Sequence, residues 1–305
     1  MFDLLIRGGR VVDPAQGLDG PADVALQAGR VVRLAPEIAP DAARTVVDAR
    51  GLLVLPGLVD YHVHVHWGVS HYGIDADLGC LAQGATTVVD AGSAGGYAYP
   101  SLKRHVIESA RVRVRAFLNI SYLGMIGDEV GELEDVRFIN RDLALRVGAD
   151  PTVLGIKARM DRVGPLPATQ PLERALEVAD ELGKPAMIHI GSAARMRVSL
   201  DEIVERLRPG DVVTHCYHGR DGGLLDEEGQ VRASVRQARA RGVLFDVGHG
   251  MGSFAFDVAR RALAQGFAPD VISSDLHTYS LPGPAYDLPT TLAKFLHLGL
   301  SLPDV

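Results

Sequence analysis

Cysteine is scarce in this chain: Cys80 and Cys216 are the only two in 305 residues, and neither belongs to a CxxC pair. The sequence therefore lacks the disulfide framework that stabilises many small secreted domains. The first residues, MFDLLIRGGRVVD, are charged from position 3 and have neither the apolar core nor the small-residue cleavage site of a signal peptide. These absences predict a reducing, cytoplasmic location.

An excess of positive charge and long apolar runs are lacking as well. The net charge is −7 and the sequence pI is about 5.9, whereas phosphate binding needs a concentrated positive surface. The two basic runs, residues 111–115 and 231–242, contain no interleaved aromatic residues and are typical of solvated faces. No uncharged run approaches the roughly 18 residues that cross a membrane. We therefore expect a small-molecule substrate, and neither a nucleic acid nor a membrane as partner.

Short apolar runs dominate the rest of the sequence. Residues 1–55 read as strands separated by glycine turns, without helical periodicity, which predicts a small β-sandwich subdomain. From residue 58 onward, apolar runs recur at the spacing of βα units, with helix-like segments between them. The eight runs are residues 58–65, 86–92, 113–120, 152–158, 185–190, 211–216, 242–248 and 270–275. This pattern predicts an α/β fold, a (β/α)8 TIM barrel over residues 56–305, with its active site at the C-terminal ends of the strands.

Histidines collect at these predicted strand ends. His62 and His64 lie two positions apart in the first run, so their side chains share one face of the strand and could chelate one cation. The alternative is a pair of stacked core imidazoles. His66 shares that face but lies beyond the strand, where a loop-surface or supporting position is expected. His189 ends the fifth run and His215 ends the sixth, and each alone could be an ordinary core or rim residue.

Lys157 ends the fourth run and Asp275 ends the eighth. A lysine at a strand end usually pairs with a carboxylate or reaches solvent, but an ammonium among metal ions would be repelled. A desolvated lysine near cations has a lowered pKa, and its neutral amine can add carbon dioxide to form an anionic carbamate that bridges two metals. Asp275 could cap a helix; the other interpretation is a carboxylate that contacts a metal and the attacking water.

Residues just beyond the strand ends are candidates for contacts with the substrate. Arg159 follows Lys157 by two positions, and its guanidinium would suit a substrate carboxylate, although a salt bridge at the rim fits equally well. The other candidates for the wall of the pocket are Tyr97, His218, His249 and His277.

The motifs at these positions resemble the amidohydrolase superfamily of binuclear metal hydrolases. They are LPGLVDYHVHVH at the first strand, GIKARM at the fourth, MIHI at the fifth, VVTHC at the sixth and ISSDLH at the eighth. Within that superfamily the chain looks most like the dihydroorotase-like branch of amidohydrolases and deacetylases. The resemblance implies a hydrolase that cleaves an amide or ester bond of a small acylated acid.

The resemblance also implies a role for each ligand. His62, His64 and Asp275 would hold the more buried of two divalent metal ions, with zinc as the first choice. His189 and His215 would hold the more exposed ion. The carboxylated lysine of the fourth strand and a hydroxide would bridge both ions, and the aspartate would carry the proton of the hydroxide to the leaving group. A homo-oligomer is expected by analogy.

Two departures from the family pattern bear on these expectations. Dihydroorotases of this type carry an arginine shortly after the first-strand histidines, where this chain reads WGVSHYG, which disfavours dihydroorotase activity. Relatives continue past the eighth strand with strands that pair with the N-terminal β unit, so we expect that the sequence is C-terminally shortened and lacks that part of the sandwich.

Three alternatives remain on the same scaffold. One is a cyclic amidase of the dihydroorotase or hydantoinase type. Another is a deaminase, although the mononuclear deaminases of the superfamily lack the bridging lysine. The last is a barrel without catalytic activity that serves as a scaffold. Two metal ions per chain would favour the binuclear hydrolase.

Overall fold

The computed structural model describes residues 1–164 and 167–305. Two compact units divide the chain: the smaller comprises Met1–Leu58 and Gly299–Val305, and the larger comprises Val59–Leu298. The division lies three residues beyond the predicted boundary, and the last residues of the chain group with the smaller unit. None of the helices in the described part of the chain is both long and apolar enough to cross a membrane.

The smaller unit is built on one five-stranded sheet. Its strands are β1 (Phe2–Asp13), β2 (Leu18–Gln27), β3 (Arg30–Ala35), β4 (Ala43–Asp48) and β5 (Leu53–Val54). Strand β1 is central: it pairs antiparallel with β2 and parallel with β4 and β5, and β3 extends the sheet beyond β2. Leu5, Ala25 and Ile38 form a small buried cluster. The predicted β unit is confirmed, while completion of a sandwich by further strands remains a prediction.

The larger unit contains a parallel sheet whose strands pair side by side in chain order. The strands are β6 (Leu58–Val63), β7 (Ala85–Gly95), β8 (Arg113–Asn119), β9 (Val153–Arg159), β10 (Ala186–His189), β11 (Val212–Thr214) and β12 (Leu244–Asp246). Val89, Phe117, Met187 and Val212 from four of them belong to one buried cluster. The near-continuous apolar runs are therefore explained by burial on both faces of the sheet.

The eighth predicted run, residues 270–275, contributes isolated bridges rather than a continuous strand. On one side Val271 pairs in parallel with Asp246 of β12. On the other side Asp275 N donates a hydrogen bond of 2.8 Å to His62 O on β6. The ring of strands is thus closed, which confirms the predicted barrel and brings the end of the eighth run next to the first strand.

Helices separate the barrel strands, as the βα spacing predicts. They are α1 (Ala76–Gly79), α2 (Tyr99–Leu102), α3 (Arg141–Gly148), α4 (Gln170–Glu181), α5 (Ala193–Met196), α6 (Leu200–Arg206), α7 (Ala233–Ala240), α8 (Phe256–Ala264) and α9 (Leu288–His297). Helix α4 buries Leu172, Ala175 and Val178, which recur every three residues. Helix α6 begins with a capping box between Ser199 and Glu202. These helices enclose the sheet, so the strand ends form the open face where a site can lie.

Candidate metal centre

A single pocket collects the six side chains predicted to bind metal, which come from the ends of five of the predicted barrel strands. The predicted ligands that line it are His62, His64, Lys157, His189, His215 and Asp275. All but His189, which is partly buried, are almost completely buried. The fold therefore brings together side chains that are spread over more than 200 positions, and their role as metal ligands stays a prediction.

Asp275 lies between the two imidazoles of the first strand. Its Oδ1 atom is 3.3 Å from Nε2 of His62 and 3.3 Å from Nε2 of His64. His62, His215 and Asp275 each offer a ligand atom, and these three atoms lie within 4.8 Å of one another. Asp275 Oδ1 is buried and has no hydrogen-bond partner among the described residues. A buried carboxylate oxygen without a donor, surrounded by imidazole nitrogens, fits a cation site.

The hydrogen bonds of the ring Nδ1 atoms leave the opposite nitrogens available. Thr214 Oγ1 donates to Asp246 Oδ2 at 2.6 Å, so its oxygen can accept from His62 Nδ1, which is 2.8 Å away. His215 Nδ1 donates to the carbonyl oxygen of Gly248 at 2.7 Å. Because these Nδ1 atoms carry the protons, the Nε2 atoms of both rings have free lone pairs. Such outer hydrogen bonds are characteristic of metal-binding histidines.

The remaining two imidazoles complete the set. His64 Nδ1 is 2.8 Å from Ser93 Oγ, and the ring of His189 meets that of His215 edge-on at a centroid distance of 4.3 Å. Burial lowers the pKa of His64 to about 3 and lowers the pKa of His62, His189 and His215 well below the ordinary value. All four imidazoles are therefore neutral at pH 7, which is the form that binds metal.

Lys157 is a buried amine that forms no ion pair with the residues that the structure describes. Its side chain is 1% exposed, and Nζ contacts the sulfur of Met187 at 3.3 Å. Within residues 1–164 and 167–305, no carboxylate lies within 4.0 Å of Nζ. Burial lowers the pKa of Lys157 to about 8. Gly92, with a φ of +91°, makes room for this side chain, because a Cβ atom there would lie 2.6 Å from Lys157 Cγ.

Two of the predicted ligands have a backbone conformation that side chains rarely adopt. The φ angle is +71° at His215 and +49° at Asp275. A left-handed backbone at residues other than glycine costs free energy and is concentrated at functional sites. Gly250 lies against the second of these residues, since a Cβ atom there would be 2.4 Å from Asp275 Oδ2. The local backbone thus aims these two side chains into the pocket.

Arg159 and His277, two predicted substrate contacts, also line the pocket. The guanidinium of Arg159 is already engaged: it donates to Glu132 at 2.6 and 3.0 Å and lies 3.6 Å from Asp161. The rim salt bridge, which the sequence left open as an alternative, is therefore present. The ring of His277 packs edge-on against Tyr72 at 4.6 Å.

The other predicted wall residues do not line the pocket. Tyr97 is 68% exposed and packs on Tyr122, because its loop turns outward after β7. His218 is buried, and its Nδ1 accepts a hydrogen bond from the backbone of Arg220. His249 stacks on a phenylalanine ring, and its Nε2 is 2.8 Å from a lysine amine.

His66 lies beyond β6 as expected, but it is 1% exposed rather than on the loop surface. Its Nε2 lies 3.3 Å from Ser101 Oγ, outside the pocket that holds the predicted ligands. The histidine motif therefore splits: His62 and His64 face the pocket, while the third histidine packs elsewhere.

Three buried aspartates that support the site were missed from the sequence. Asp60 accepts a hydrogen bond of 3.0 Å from the backbone of Ser274, and Asp90 accepts bonds from the backbone of Val65 and Ser93. Burial raises the pKa of Asp60 to about 7 and that of Asp246 to about 6. The signal was present, because each of these carboxylates interrupts an apolar strand run. Pocket residues Tyr72 and Arg220 were missed as well.

No protein-family model matches the chain, but individual relatives do. It is 34% identical over 282 residues to the deacetylase Atu3266 of Agrobacterium fabrum, covering 91% of this chain and 68% of that protein. It is 36% identical over 264 residues to a deacetylase of Brucella anthropi, covering 85% and 65%. It is 35% identical over 311 residues to a deacetylase of Enterococcus faecalis, covering 100% and 81%. The chain thus spans 65% to 81% of the length of these relatives.

Solved structures agree with the sequence relatives. A crystal structure of a dihydroorotase has a TM-score of 0.89 and 32% identity, covering 99% of this chain and 79% of that one. A crystal structure of an adenine deaminase has the same TM-score with 33% identity, covering 100% and 81%. The fold is a barrel, and the polar pocket at the C-terminal ends of its strands contains histidines and an aspartate that could hold a metal ion. The chain belongs to the amidohydrolase superfamily, which confirms the resemblance seen in its motifs.

Proposed function

We propose that this protein is a metal-dependent hydrolase that cleaves the amide bond of a small acylated acid. The observation that carries the proposal is the pocket itself, in which Asp275 Oδ1 faces two imidazole nitrogens without a hydrogen donor from the described residues. The names of the relatives support a deacylase, because three of them are called deacetylases. An acyl ester of similar size would meet the same groups.

The donor set suits two divalent cations, and zinc is the first choice because imidazole and carboxylate oxygen are common zinc ligands. His62, His64 and Asp275 would hold one ion, and His189 and His215 would hold the other. Divalent ions there would act as Lewis acids toward the scissile carbonyl and make water acidic enough to serve as a nucleophile at neutral pH.

Lys157 would join the two ions as a carbamate. Its lowered pKa leaves a larger fraction of neutral amine than an exposed lysine has. The Nζ lone pair attacks the carbon of carbon dioxide, an N–C bond forms as one C=O π bond becomes a lone pair on oxygen, and one proton passes from Nζ to water. The product is an anion with two oxygens, which removes the cost of a buried, unpaired ammonium.

Asp275 is the group that would move the proton. Burial raises its pKa to about 6, so its carboxylate takes up a proton more readily than an exposed aspartate. Its unpartnered Oδ1 would accept a proton from the attacking water and then release it to the departing amine nitrogen. The left-handed backbone of Asp275 and its contact with Gly250 would hold this side chain toward the reacting atoms.

A second candidate is hydrolysis of a cyclic amide or deamination. The observation in its favour is the structural match to a dihydroorotase and to an adenine deaminase, both at a TM-score of 0.89. The stretch WGVSHYG after the first strand, which lacks the expected arginine, favours the acyclic amide instead.

A substrate panel on the zinc-loaded protein tests these candidates. The panel contains N-acyl amino acids, O-acyl hydroxy acids, dihydroorotate, hydantoins and adenine, each with and without prior removal of metal by a chelator. We expect metal-dependent turnover of an acylated acid, and turnover of only a cyclic amide or of adenine would favour the second candidate. Mass spectrometry under conditions that keep labile adducts should find the mass of one extra carboxyl group, absent in Lys157→Ala.

Two further proposals concern the setting of the enzyme. We propose a homo-oligomer, by analogy alone, which size-exclusion chromatography with light scattering would test. We also propose a reducing, cytoplasmic location, because Cys80 and Cys216 are both buried free thiols.

A further inference from the structure

Four arginines line the pocket, and most of them already have carboxylate partners. Arg159 is paired with Glu132, and the two side chains are 11% and 1% exposed. Arg195 Nε lies 2.7 Å from Asp161 Oδ1. Because a guanidinium that is held by a carboxylate has fewer donors and less charge to offer, these two arginines are poor partners for a further anion.

Arg162 is engaged in the same way. Its Nε donates to Glu134 Oε1 at 2.8 Å, and one Nη donates to the backbone oxygen of Asp128. Three of the four arginines at the pocket are thus paired with carboxylates of the chain itself.

Arg220 differs from the other three. Its side chain is exposed and makes no hydrogen bond or ion pair with any residue that the structure describes. A Cβ atom placed on Gly191 would lie 3.5 Å from Arg220 Nη1 and 3.9 Å from His189 Nε2. Both nitrogens are therefore within 4 Å of one point, so the free guanidinium lies close to the predicted metal ligand of β10. The second glycine beside it, Gly252, also lines the pocket.

We propose that Arg220 binds the carboxylate of the substrate and thereby sets the preference of the enzyme for acylated acids. This inference rests on the proposed function. The planar fork of a guanidinium matches the two oxygens of a carboxylate. In an N-acyl α-amino acid or an O-acyl α-hydroxy acid, only two atoms separate the scissile carbonyl carbon from the carboxylate carbon. A substrate that reaches both the metal ligands and Arg220 therefore needs its acid group close to the bond that breaks.

This assignment replaces Arg159, the arginine that the sequence pointed to. The two side chains line the same pocket, but Arg159 is partly buried and paired with Glu132, whereas Arg220 is unpaired among the described residues. Removal of Glu132 would be needed before Arg159 could serve a substrate in this way.

Binding of a substrate analogue that cannot be hydrolysed tests the inference without relying on turnover. Levulinate has the skeleton of N-acetylglycine with a methylene group in place of the amide nitrogen, and levulinamide is its neutral counterpart. Dissociation constants for both should be measured by NMR titration on zinc-loaded wild type, Arg220→Met and Arg220→Lys. Arg206→Met, on the exposed part of α6, removes the same charge away from the pocket and is the matched control.

We expect wild type to bind levulinate more tightly than levulinamide, and Arg220→Met to weaken levulinate binding by about tenfold or more while leaving levulinamide unchanged. Arg220→Lys should recover part of the loss, and Arg206→Met should behave as wild type. Equal affinities for the two probes in wild type, or unchanged levulinate binding in Arg220→Met, would overturn the inference. If no acylated acid is hydrolysed but Arg220→Met still loses levulinate selectively, the proposed function fails and the assignment of Arg220 stands.

Discussion

The floor and the rim of the pocket differ in whether their polar side chains are paired within the chain. We call the pocket floor the set His62, His64, Lys157 and Asp275, and the pocket rim the set Arg159, Arg162, Arg195 and Arg220. On the floor, a carboxylate oxygen without a hydrogen-bond partner and a lysine without an ion pair, both judged among the described residues, are buried together with neutral imidazoles. On the rim, carboxylates of the chain already neutralise three of the four arginines. The difference supports both proposals: cations would supply the missing partner at the floor, and a substrate carboxylate would supply it at the rim.

Removal of the lysine from the pocket floor should have the largest effect. Lys157→Ala removes the proposed bridge between the two ions, so kcat/KM should fall by at least about 10³-fold, since several kcal/mol of transition-state stabilisation depend on them. Lys103→Ala, which removes a half-exposed surface lysine, should leave the activity unchanged. Retention of a tenth of the activity by Lys157→Ala would show that the floor does not depend on this side chain.

At the rim, the buried pair should matter for stability rather than for substrate selection. Arg159→Met leaves Glu132 buried without its partner, so the free energy of unfolding in denaturant should fall by about 3–5 kcal/mol. The ratio of levulinate to levulinamide affinity should stay as in wild type. A selective loss of levulinate binding in this variant, with unchanged stability, would return the carboxylate-binding role to Arg159.

The hydrogen bonds behind the floor should tune the affinity for metal. Thr214→Val removes the acceptor for His62 Nδ1 and a donor to Asp246, so the affinity for zinc should fall by about 10–100-fold in chelator competition. The control is Thr291→Val, a buried threonine on α9 whose hydroxyl bonds the backbone of Asp287. Equal zinc affinity in both variants would mean that the orientation of His62 does not need this bond.

The smallest effect is expected for the exposed ion pair of the rim. Arg195 is 52% exposed, and solvent screens such pairs, so Arg195→Met should change the free energy of unfolding by less than about 1 kcal/mol. Levulinate affinity should change by less than about twofold, because Asp161 already neutralises this arginine. A loss as large as that in Arg220→Met would mean that pairing with a carboxylate does not separate the rim arginines.

The convergence of the floor could be predicted because it depends on periodicity alone. A two-residue spacing puts His62 and His64 on one face of a strand, and parallel strands of a barrel open at a common end. The eighth run was predictable as a position but not as isolated bridges, because its backbone at Asp275 turns left-handed.

The rim could not be predicted in the same way. Glu132, the partner of Arg159, comes from a loop 27 positions earlier in the chain, and no local pattern links the two. The loops that follow the strands also run in different directions: Tyr97 points outward, while Arg220 reaches the pocket. Strand residues are fixed by register, whereas loop residues depend on tertiary packing that the sequence does not display.

The metal content of the protein is the most direct test of whether the predicted ligands of the pocket bind cations. Protein loaded with zinc and freed of excess metal by gel filtration should be analysed by inductively coupled plasma mass spectrometry, alongside Asp275→Asn and His189→Ala. We predict two zinc ions per chain in wild type and fewer in both variants. One ion or none in wild type, or two ions retained in both variants, would contradict a centre built from these side chains.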